Sequence, residues 1–261
     1  MTDKPFITSF PTRLHKEAAA AISAHFLGST KVDTVLLVNS CARGQAVADS
    51  DLDLAILVTP GVTMAEMQEL DSAWKEFAQT APAVTAYRST GPHAHLHLDL
   101  ITGDYQPGQM EDGGMPDHFE IEIGNQVGYS SPLGEAGPFF AALQRKWLPY
   151  YDGTLRSDRL EMTRQSCEYD ISCIPRYLER GLYFHAFDRL TVAFQKYLQA
   201  LFISKGVYPI AYNKWIRMQV ETWLDMPDLY PRLAPILSVS NIESLETAEK
   251  AGSLRGLLQS I

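Results

Sequence analysis

The sequence lacks the features of a membrane or secreted protein. No apolar run approaches the about 20 residues that a helix needs to cross a bilayer. The first residues do not show the basic and then apolar arrangement of a secretion signal. Cysteine is scarce and has no metal-binding spacing, which indicates reduced thiols at Cys41, Cys167 and Cys173. These absences predict a cytoplasmic protein without disulfide bonds.

Basic residues are also fewer than acidic ones. The chain has 22 Lys and Arg against 31 Asp and Glu, a formal net charge of −9. Broad binding to a nucleic-acid backbone needs clustered basic residues, so nucleic acid is not an expected partner. Hydrophobic residues make up 46% of the sequence and charged residues 20%, which is ordinary for a globular protein. A chain of 261 residues can form two modest domains, each with its own core.

Helical and strand patterns alternate in the first half of the chain. Apolar spacings of three and four residues predict helices over residues 12–27 and 63–79. Short apolar or alternating runs predict strands at 32–38, 52–58, 84–87, 96–101 and 118–123. Residues 103–117 are rich in turn formers and are expected to form a long loop. The alternation is typical of a mixed α/β unit with a site at its strand ends.

From residue 139 onward the pattern is helical almost throughout. Helices are expected at 156–180, 184–205, 213–224, 229–238 and 242–259. The clearest of them ends at Lys205 and Gly206, a cation followed by the glycine that often stops a helix. We therefore predict an α+β fold, with a mixed-sheet domain over residues 1–135 and an all-α helical bundle domain over residues 136–261.

Two acidic residues stand at the start of the strand predicted at 52–58. Alternate residues of a strand share a face, so Asp51 and Asp53 are expected to project side by side. Neighbouring carboxylates repel each other unless a cation lies between them, and Mg²⁺ prefers such oxygen ligands. Leu52 and Leu54 would point into the core and fix the register. The pair is therefore predicted to bind metal and to act in catalysis.

A third acidic residue and three histidines follow on a later strand. Asp99 has the same parity as His93, His95 and His97, so these side chains are expected to line one face. Asp99 would complete a second metal position or accept a proton, while nearby Asp104 is interpreted as a turn residue. The histidines could form a zinc site, but half-exposed residues around a polar cleft are the simpler interpretation.

Residues 39–54 form the most informative segment. Small residues and a glycine follow a buried strand and lead into Asp-Leu-Asp. The residues that define the pattern are Ser40, Ala42, Arg43, Gly44, Ser50, Asp51, Asp53 and Leu54. This pattern resembles the nucleotidyltransferase superfamily of DNA polymerase beta, in particular its minimal and its aminoglycoside- or lincosamide-modifying branches. It departs from the family at Asn39, where glycine is usual, although asparagine tolerates positive φ.

The resemblance implies a nucleotidyltransferase domain followed by a helical substrate-binding domain. It implies Mg²⁺, as two ions at Asp51, Asp53 and Asp99, and ATP or another nucleoside triphosphate as substrate. The expected nucleotide-binding residues are Asn39, Ser40, Arg43, Ser50, Lys196 and Lys214. Ser40 and the amides that follow it would form a cradle for the triphosphate. Arg43 fits phosphate binding and a structural ion pair equally well, and Ser50 would orient the turn before Asp51.

The expected function is transfer of a nucleoside monophosphate, AMP from ATP, to a hydroxyl of a small acceptor. An aminoglycoside-like or lincosamide-like molecule is the leading candidate. One alternative is a protein acceptor, as in antitoxin-type AMP transferases, but those are often minimal single domains. The other is a non-catalytic nucleotide-binding protein of the same fold, which Asn39 would favour.

Overall fold

A computed structural model describes residues 7–91, 95–109 and 113–261. It contains helices and a four-stranded mixed sheet, so the α+β class expected from the sequence is confirmed. The described residues pack as two compact units. The sheet unit comprises residues 7–105 and Glu122–Pro149, and the helical unit comprises Gln106–Ile121 and Tyr150–Ile261. The domain boundary between residues 135 and 136 stays a prediction.

The elements follow the predicted order in most of the chain. The strands are β1 (Val32–Leu37), β2 (Leu52–Val58), β3 (Leu96–Ile101) and β4 (Ser131–Pro132). The α-helices are α1 (Arg13–Phe26), α2 (Asn39–Ala42), α3 (Met64–Thr80), α4 (Pro82–Arg88), α5 (Phe119–Ile123), α6 (Pro138–Trp147), α7 (Gly153–Glu179), α8 (Tyr183–Lys205), α9 (Ile216–Met218), α10 (Tyr230–Leu233) and α11 (Glu246–Leu258). Single turns of π-helix cover Gly124–Gly128 and Gln219–Trp223, and a 3₁₀ turn covers Ala234–Leu237.

The sheet has the order β3-β2-β1-β4. Strand β2 runs antiparallel to β1 and parallel to β3, and the short β4 pairs with the other edge of β1. From Leu54 onward every residue of β2 is buried, so both faces of the sheet are covered there. Asp53 is the one residue of β2 that keeps partial exposure, and it marks where one face becomes accessible.

Side chains at the helix ends explain where several helices of the sheet unit begin. Thr63 and Glu66 form a capping box at the start of α3, each satisfying a backbone amide of the other. Asp33 on β1 accepts hydrogen bonds of 3.0 Å from the amides of Phe139 and Phe140 at the start of α6. A carboxylate is stabilised at this positive end of a helix, so Asp33 fixes α6 to the sheet.

The strand predicted at 84–87 is wrong, because this segment lies in helix α4. Pro82 occupies the first turn of α4, where its missing amide hydrogen and fixed φ favour helix initiation. Val84 and Tyr87 are both fully buried, and a spacing of three residues places them on one helical face. The apolar run was too short to distinguish this spacing from strand alternation.

The strand predicted at 118–123 is also wrong, because this segment forms α5 and continues into a π-helical turn. Alternating apolar residues suggested a strand, but Phe119, Glu120 and Ile123 are the buried ones, which is helical spacing. The pattern was misleading because Glu120, an acidic residue, is fully buried. Its carboxylate accepts hydrogen bonds from both Tyr151 and Arg159.

The helical unit is built around α7 and α8, whose apolar faces form its core with α11. Gly206 ends α8 in the left-handed conformation, with φ of 63°, as its position after Lys205 predicted. Helix α8 is buried along almost every face of its second half, so it is the central helix of this unit. Across the described ranges, no helix combines the length and the apolar character needed to span a bilayer.

Candidate functional site

The turn after β1 carries the first predicted site residues. Asn39 opens α2 with φ of 56°, the left-handed conformation that asparagine tolerates. Gly44 ends this turn with φ of 67°, and a Cβ atom there would clash with the carbonyl oxygen of Ile7. Glycine is therefore required at this position both by its φ and by the close approach of the chain. Ser40 is half-buried within the turn, and its carbonyl accepts the amide of Gln45 at 2.9 Å.

The loop before β2 is held at Ser50. The hydroxyl of Ser50 accepts the amide of Val47 at 2.9 Å, and its carbonyl accepts Nε2 of His15 at 2.9 Å and the hydroxyl of Tyr87 at 3.1 Å. A carbonyl oxygen only accepts, so Nε2 of His15 donates to it, and Nδ1 of the same ring lies 2.8 Å from the Thr12 hydroxyl. Ser50 thus holds the turn ahead of Asp51 in place, and its contribution to nucleotide binding stays a prediction.

The carboxylate of Asp51 lies at the start of β2 beside two histidines. Its Oδ1 accepts the backbone amide of His95 at 3.1 Å, and its Oδ2 lies 3.8 Å from Nε2 of His97. The Tyr87 hydroxyl also donates to the carbonyl of His95 at 3.2 Å, which ties the start of β3 to the same loop. One oxygen of Asp51 is therefore anchored, and the other faces an exposed imidazole.

Asp53 lies on β2, two residues after Asp51, and is partly buried. Burial raises the pKa of its carboxyl, and the nearby charge of Asp51 adds to the rise. A side-chain hydrogen bond with Asn39, and the neighbouring His97 and Arg43, act in the opposite direction. A bound cation would favour the charged form of both carboxylates, so the pair has the electrostatic character of a cation site.

Arg43 is buried against the turn rather than extended into solvent. Its Nε donates to Oε1 of Gln45 at 3.0 Å, and one terminal nitrogen donates to Oδ1 of Asn125, also at 3.0 Å. Burial lowers the pKa of the guanidinium to about 10, while the charge of Asp53 opposes that shift. Of the two roles left open by the sequence, these contacts favour the structural one, with Arg43 supporting the turn and balancing the charge near Asp53.

Asp99 lies on β3 as predicted, on the face shared with His95 and His97. In the parallel pairing of β2 with β3, His97 is opposite Asp53 and Asp99 is opposite Ala55. Asp99 is thus two residues further along the strands than the pair of Asp53 and His97, and its side chain is exposed. His93 lies outside the described residues.

The two lysines expected to bind nucleotide lie in different surroundings within the helical unit. Lys196 is fully buried, and its ammonium donates to Ser166 Oγ and to Asp170 Oδ2, each at 2.7 Å. Arg189 pairs with the other oxygen of Asp170 at 2.7 Å. We therefore interpret Lys196 as part of a charged core cluster and leave it out of the proposed site. Lys214 is exposed, on the loop that precedes α9.

Mg²⁺ is the metal that the sequence implies. In the ranges 7–91, 95–109 and 113–261 no three His, Cys, Asp or Glu side chains are grouped to hold a metal ion. Mg²⁺ seldom uses a complete cage of protein ligands, and in phosphate-transfer sites one or two carboxylates hold it together with substrate phosphates and water. Asp51 and Asp53, adjacent on one strand face, fit that smaller requirement. Asp99 as a third ligand stays a prediction.

Several supporting residues were not found from the sequence. His15 and Tyr87 hold the loop before β2, and Asn125 holds Arg43, but none of them belongs to a recognisable motif. The only available signal was polarity within an apolar pattern, as at His15 on the buried face of α1. Such residues become recognisable only when distant segments are brought together by the fold.

No family model matches the chain, and a search of the curated proteins also finds no match. The functional assignment therefore depends on the motif and on the geometry described above.

Proposed function

We propose that this protein is a metal-dependent nucleotidyltransferase that transfers AMP from ATP to a hydroxyl group of a small molecule. The observation that carries the proposal is the arrangement at the start of β2. Asp51 and Asp53 project from one strand face, directly beside the turn that contains Asn39 and Ser40. That order and spacing is the motif that resembles the nucleotidyltransferase superfamily.

The residues of the sheet unit would have the following roles in the reaction. Asp51 and Asp53 would hold Mg²⁺, which supplies charge neutralisation on the phosphate oxygens when bound. Ser40 and the backbone of the turn would position the terminal phosphates of the nucleotide. Asp99 would take the proton from the acceptor hydroxyl, and His97 would orient the free oxygen of Asp51. The acceptor oxygen would form a bond to the α-phosphorus while the bond to the pyrophosphate group breaks.

The direct test is transfer of label from α-labelled ATP in the presence of Mg²⁺. Candidate aminoglycosides, lincosamides and a protein lysate would be offered separately. Asp51→Asn and Asp53→Asn should each abolish transfer, because each removes a charge needed near the phosphates while preserving side-chain shape. Full activity in either variant would refute the assignment. Asp49→Asn, an exposed acid in the same loop, is the matched control and should retain activity.

The label also distinguishes the acceptors. Label on a small molecule supports the primary proposal, and label on a protein would support the antitoxin-like alternative. A third possibility is a non-catalytic nucleotide-binding protein, which is favoured by the contact between Asn39 and Asp53 where the family usually has glycine. Calorimetry that shows ATP binding without dependence on Mg²⁺, together with no transfer, would favour this third function.

A further inference from the structure

A cavity of about 490 Å³ lies in the helical unit beside the end of α8. One wall is a single face of that helix, whose residues recur at helical spacing as Tyr197, Leu201, Ser204 and Lys205. Another wall is formed by residues 225–229 and by Arg232 on α10. This volume is typical of small-molecule sites, and no residue that we place in the proposed reaction lines the cavity.

Part of the cavity surface is apolar. Leu201 and Leu229 belong to the core of the helical unit, and Met226 and Ile261 pack against that core. Apolar surface is stabilised when it is removed from water, so these side chains favour a ligand with an apolar body.

The hydroxyl of Tyr197 is a polar group within this surface. The residue is only 1% exposed, and its hydroxyl forms no hydrogen bond with any residue of the described ranges. Burial raises the pKa of the hydroxyl to about 12, and the charge of nearby Arg232 acts in the opposite direction. A buried hydroxyl without a partner costs free energy, so the packing of the fold does not account for this group. Tyr197 and Arg232 together can donate hydrogen bonds to one anionic group.

Charged side chains of both signs line the cavity where it meets the solvent. Lys205 and Arg232 are basic, Asp225 and Asp228 are acidic, and all four are exposed. Within the described part of the chain, none of these side chains forms an ion pair or a hydrogen bond with another residue. The cations can therefore meet an anionic group of a ligand, and the acids can meet a cationic one.

We propose that this cavity binds an α-amino acid with an apolar side chain. Arg232 and the Tyr197 hydroxyl hold the carboxylate, with Lys205 adding positive charge. Asp225 and Asp228 hold the ammonium group, and the apolar surface receives the side chain. A ligand with only negative charge would be repelled by the two acids, and a polycation would be repelled by the two basic residues. The inference does not depend on the proposed transferase activity.

The experiment measures binding to the whole chain by ligand-detected NMR, with three probes that share one aromatic body. Phenylalanine carries both charged groups, phenylpropionate lacks the amino group, and phenylethylamine lacks the carboxylate. Phenylalanine should bind at millimolar concentration or below. Each of the other two probes should bind at least about fivefold more weakly, because each loses charge-assisted hydrogen bonds.

The variants separate the two charged ends of the ligand. Arg232→Met should weaken phenylalanine about tenfold and leave phenylethylamine unchanged, because only phenylalanine has a carboxylate. The double variant Asp225→Asn and Asp228→Asn should weaken phenylalanine and leave phenylpropionate unchanged. Asparagine tolerates the φ of 52° at position 225, so this variant keeps the backbone.

Tyr197→Phe removes only the buried hydroxyl. It should weaken phenylalanine and phenylpropionate by about threefold, since both carry a carboxylate. Its melting temperature should not fall, because the hydroxyl bonds to no described residue in the fold. A lower melting temperature would show that the hydroxyl serves the fold, and would overturn its assignment to a ligand.

Two matched controls come from α7 of the same unit. Arg176→Met and Asp158→Asn each remove an exposed charge and should bind all three probes as the unaltered protein does. The inference is overturned if phenylalanine does not bind at millimolar concentration, or if either of the other probes binds as tightly. It is also overturned if the controls lose as much affinity as Arg232→Met.

Discussion

Asn39 allows two contributions to the stability of the turn to be measured separately. Its backbone is left-handed, with φ of 56°, and its side chain also hydrogen-bonds the partly buried carboxylate of Asp53. Asn39→Ala removes that bond, which costs about 1.5–3 kcal/mol for a charged partner. Alanine also tolerates the left-handed region less well than asparagine, whose short polar side chain can hydrogen-bond locally, and this difference costs about another 1 kcal/mol. We therefore expect Asn39→Ala to lower the free energy of unfolding by about 3 kcal/mol in total.

Asn39→Gly removes the same hydrogen bond but adopts a positive φ without steric cost. Glycine also gains freedom in the unfolded chain, which offsets part of this advantage. The glycine variant should therefore be more stable than the alanine variant by about 1 kcal/mol, and less stable than the unaltered protein. Urea unfolding without nucleotide, followed by circular dichroism, gives the three free energies. Equal slopes against urea are required for the comparison.

Two results would refute this reasoning. If Asn39→Gly is as stable as the unaltered protein, the contact between Asn39 and Asp53 contributes nothing to the fold. If the alanine and glycine variants are equally stable, the backbone at this position is not constrained to positive φ. A useful control is Asn213→Ala, which removes an exposed asparagine in the helical unit and should leave the free energy of unfolding nearly unchanged.

Three further predictions concern the residues that support the two units. Glu120→Gln should lower the free energy of unfolding by about 3–5 kcal/mol, because Arg159 would remain buried after losing one of its two carboxylate partners. Arg217→Met removes an exposed ion pair with Glu221 and serves as the comparison. An equal or smaller loss of stability in Glu120→Gln than in Arg217→Met would contradict the prediction. Tyr87→Phe should lower the free energy of unfolding by about 1 kcal/mol, because the Tyr87 hydroxyl bonds to the carbonyls of Ser50 and His95. An unchanged melting temperature in this variant would show that these bonds do not stabilise the fold. Burial raises the pKa of Cys41 to about 11 and of Cys167 to about 12, so the reactive thiolate is scarce at pH 8 and becomes abundant only as the pH approaches those values. A thiol reagent at pH 8 should therefore label only Cys173 rapidly. Equally fast labelling of Cys41 and Cys167 would contradict the expected protection of these two thiols.

The strands and helices with strong local signals were predictable from the sequence. Strands β2 and β3 match their predicted ranges, because uninterrupted or alternating apolar residues are bounded by polar turns. Helix α3 begins at the capping box formed by Thr63 and Glu66, and α8 ends at Gly206, so their boundaries were encoded within a few residues. In each case the information needed is contained in one short segment.

The errors occurred where burial depends on a distant partner. Glu120 was read as one half of a strand alternation, but it is buried because Arg159, 39 positions later, donates to its carboxylate. Lys196, whose nucleotide binding stays a prediction, shows the same dependence on distant partners, because its buried ammonium donates to Ser166 and Asp170 of α7. A sequence pattern assigns charged residues to the surface, and only the fold reveals which of them are paired inside.

The same limitation applies to two tight backbone segments, the turn after β1 and the loop at residues 210–215. Each one combines a left-handed non-glycine residue with a side-chain amide that stabilises it or its neighbours: Asn39 bonds to Asp53, and Gln219 bonds to the loop that ends at Trp215. Amide side chains both donate and accept, so one residue can satisfy opposite ends of a tight backbone segment. The motif around Asp51 indicated the first segment. Lys214 was predicted to bind nucleotide in the second segment, but no motif indicated how Gln219 holds that loop, because Gln219 acts through backbone groups whose residue identities carry no signal. Both segments therefore have the same physical design, although the residue that holds the second one could not be recognised from the sequence.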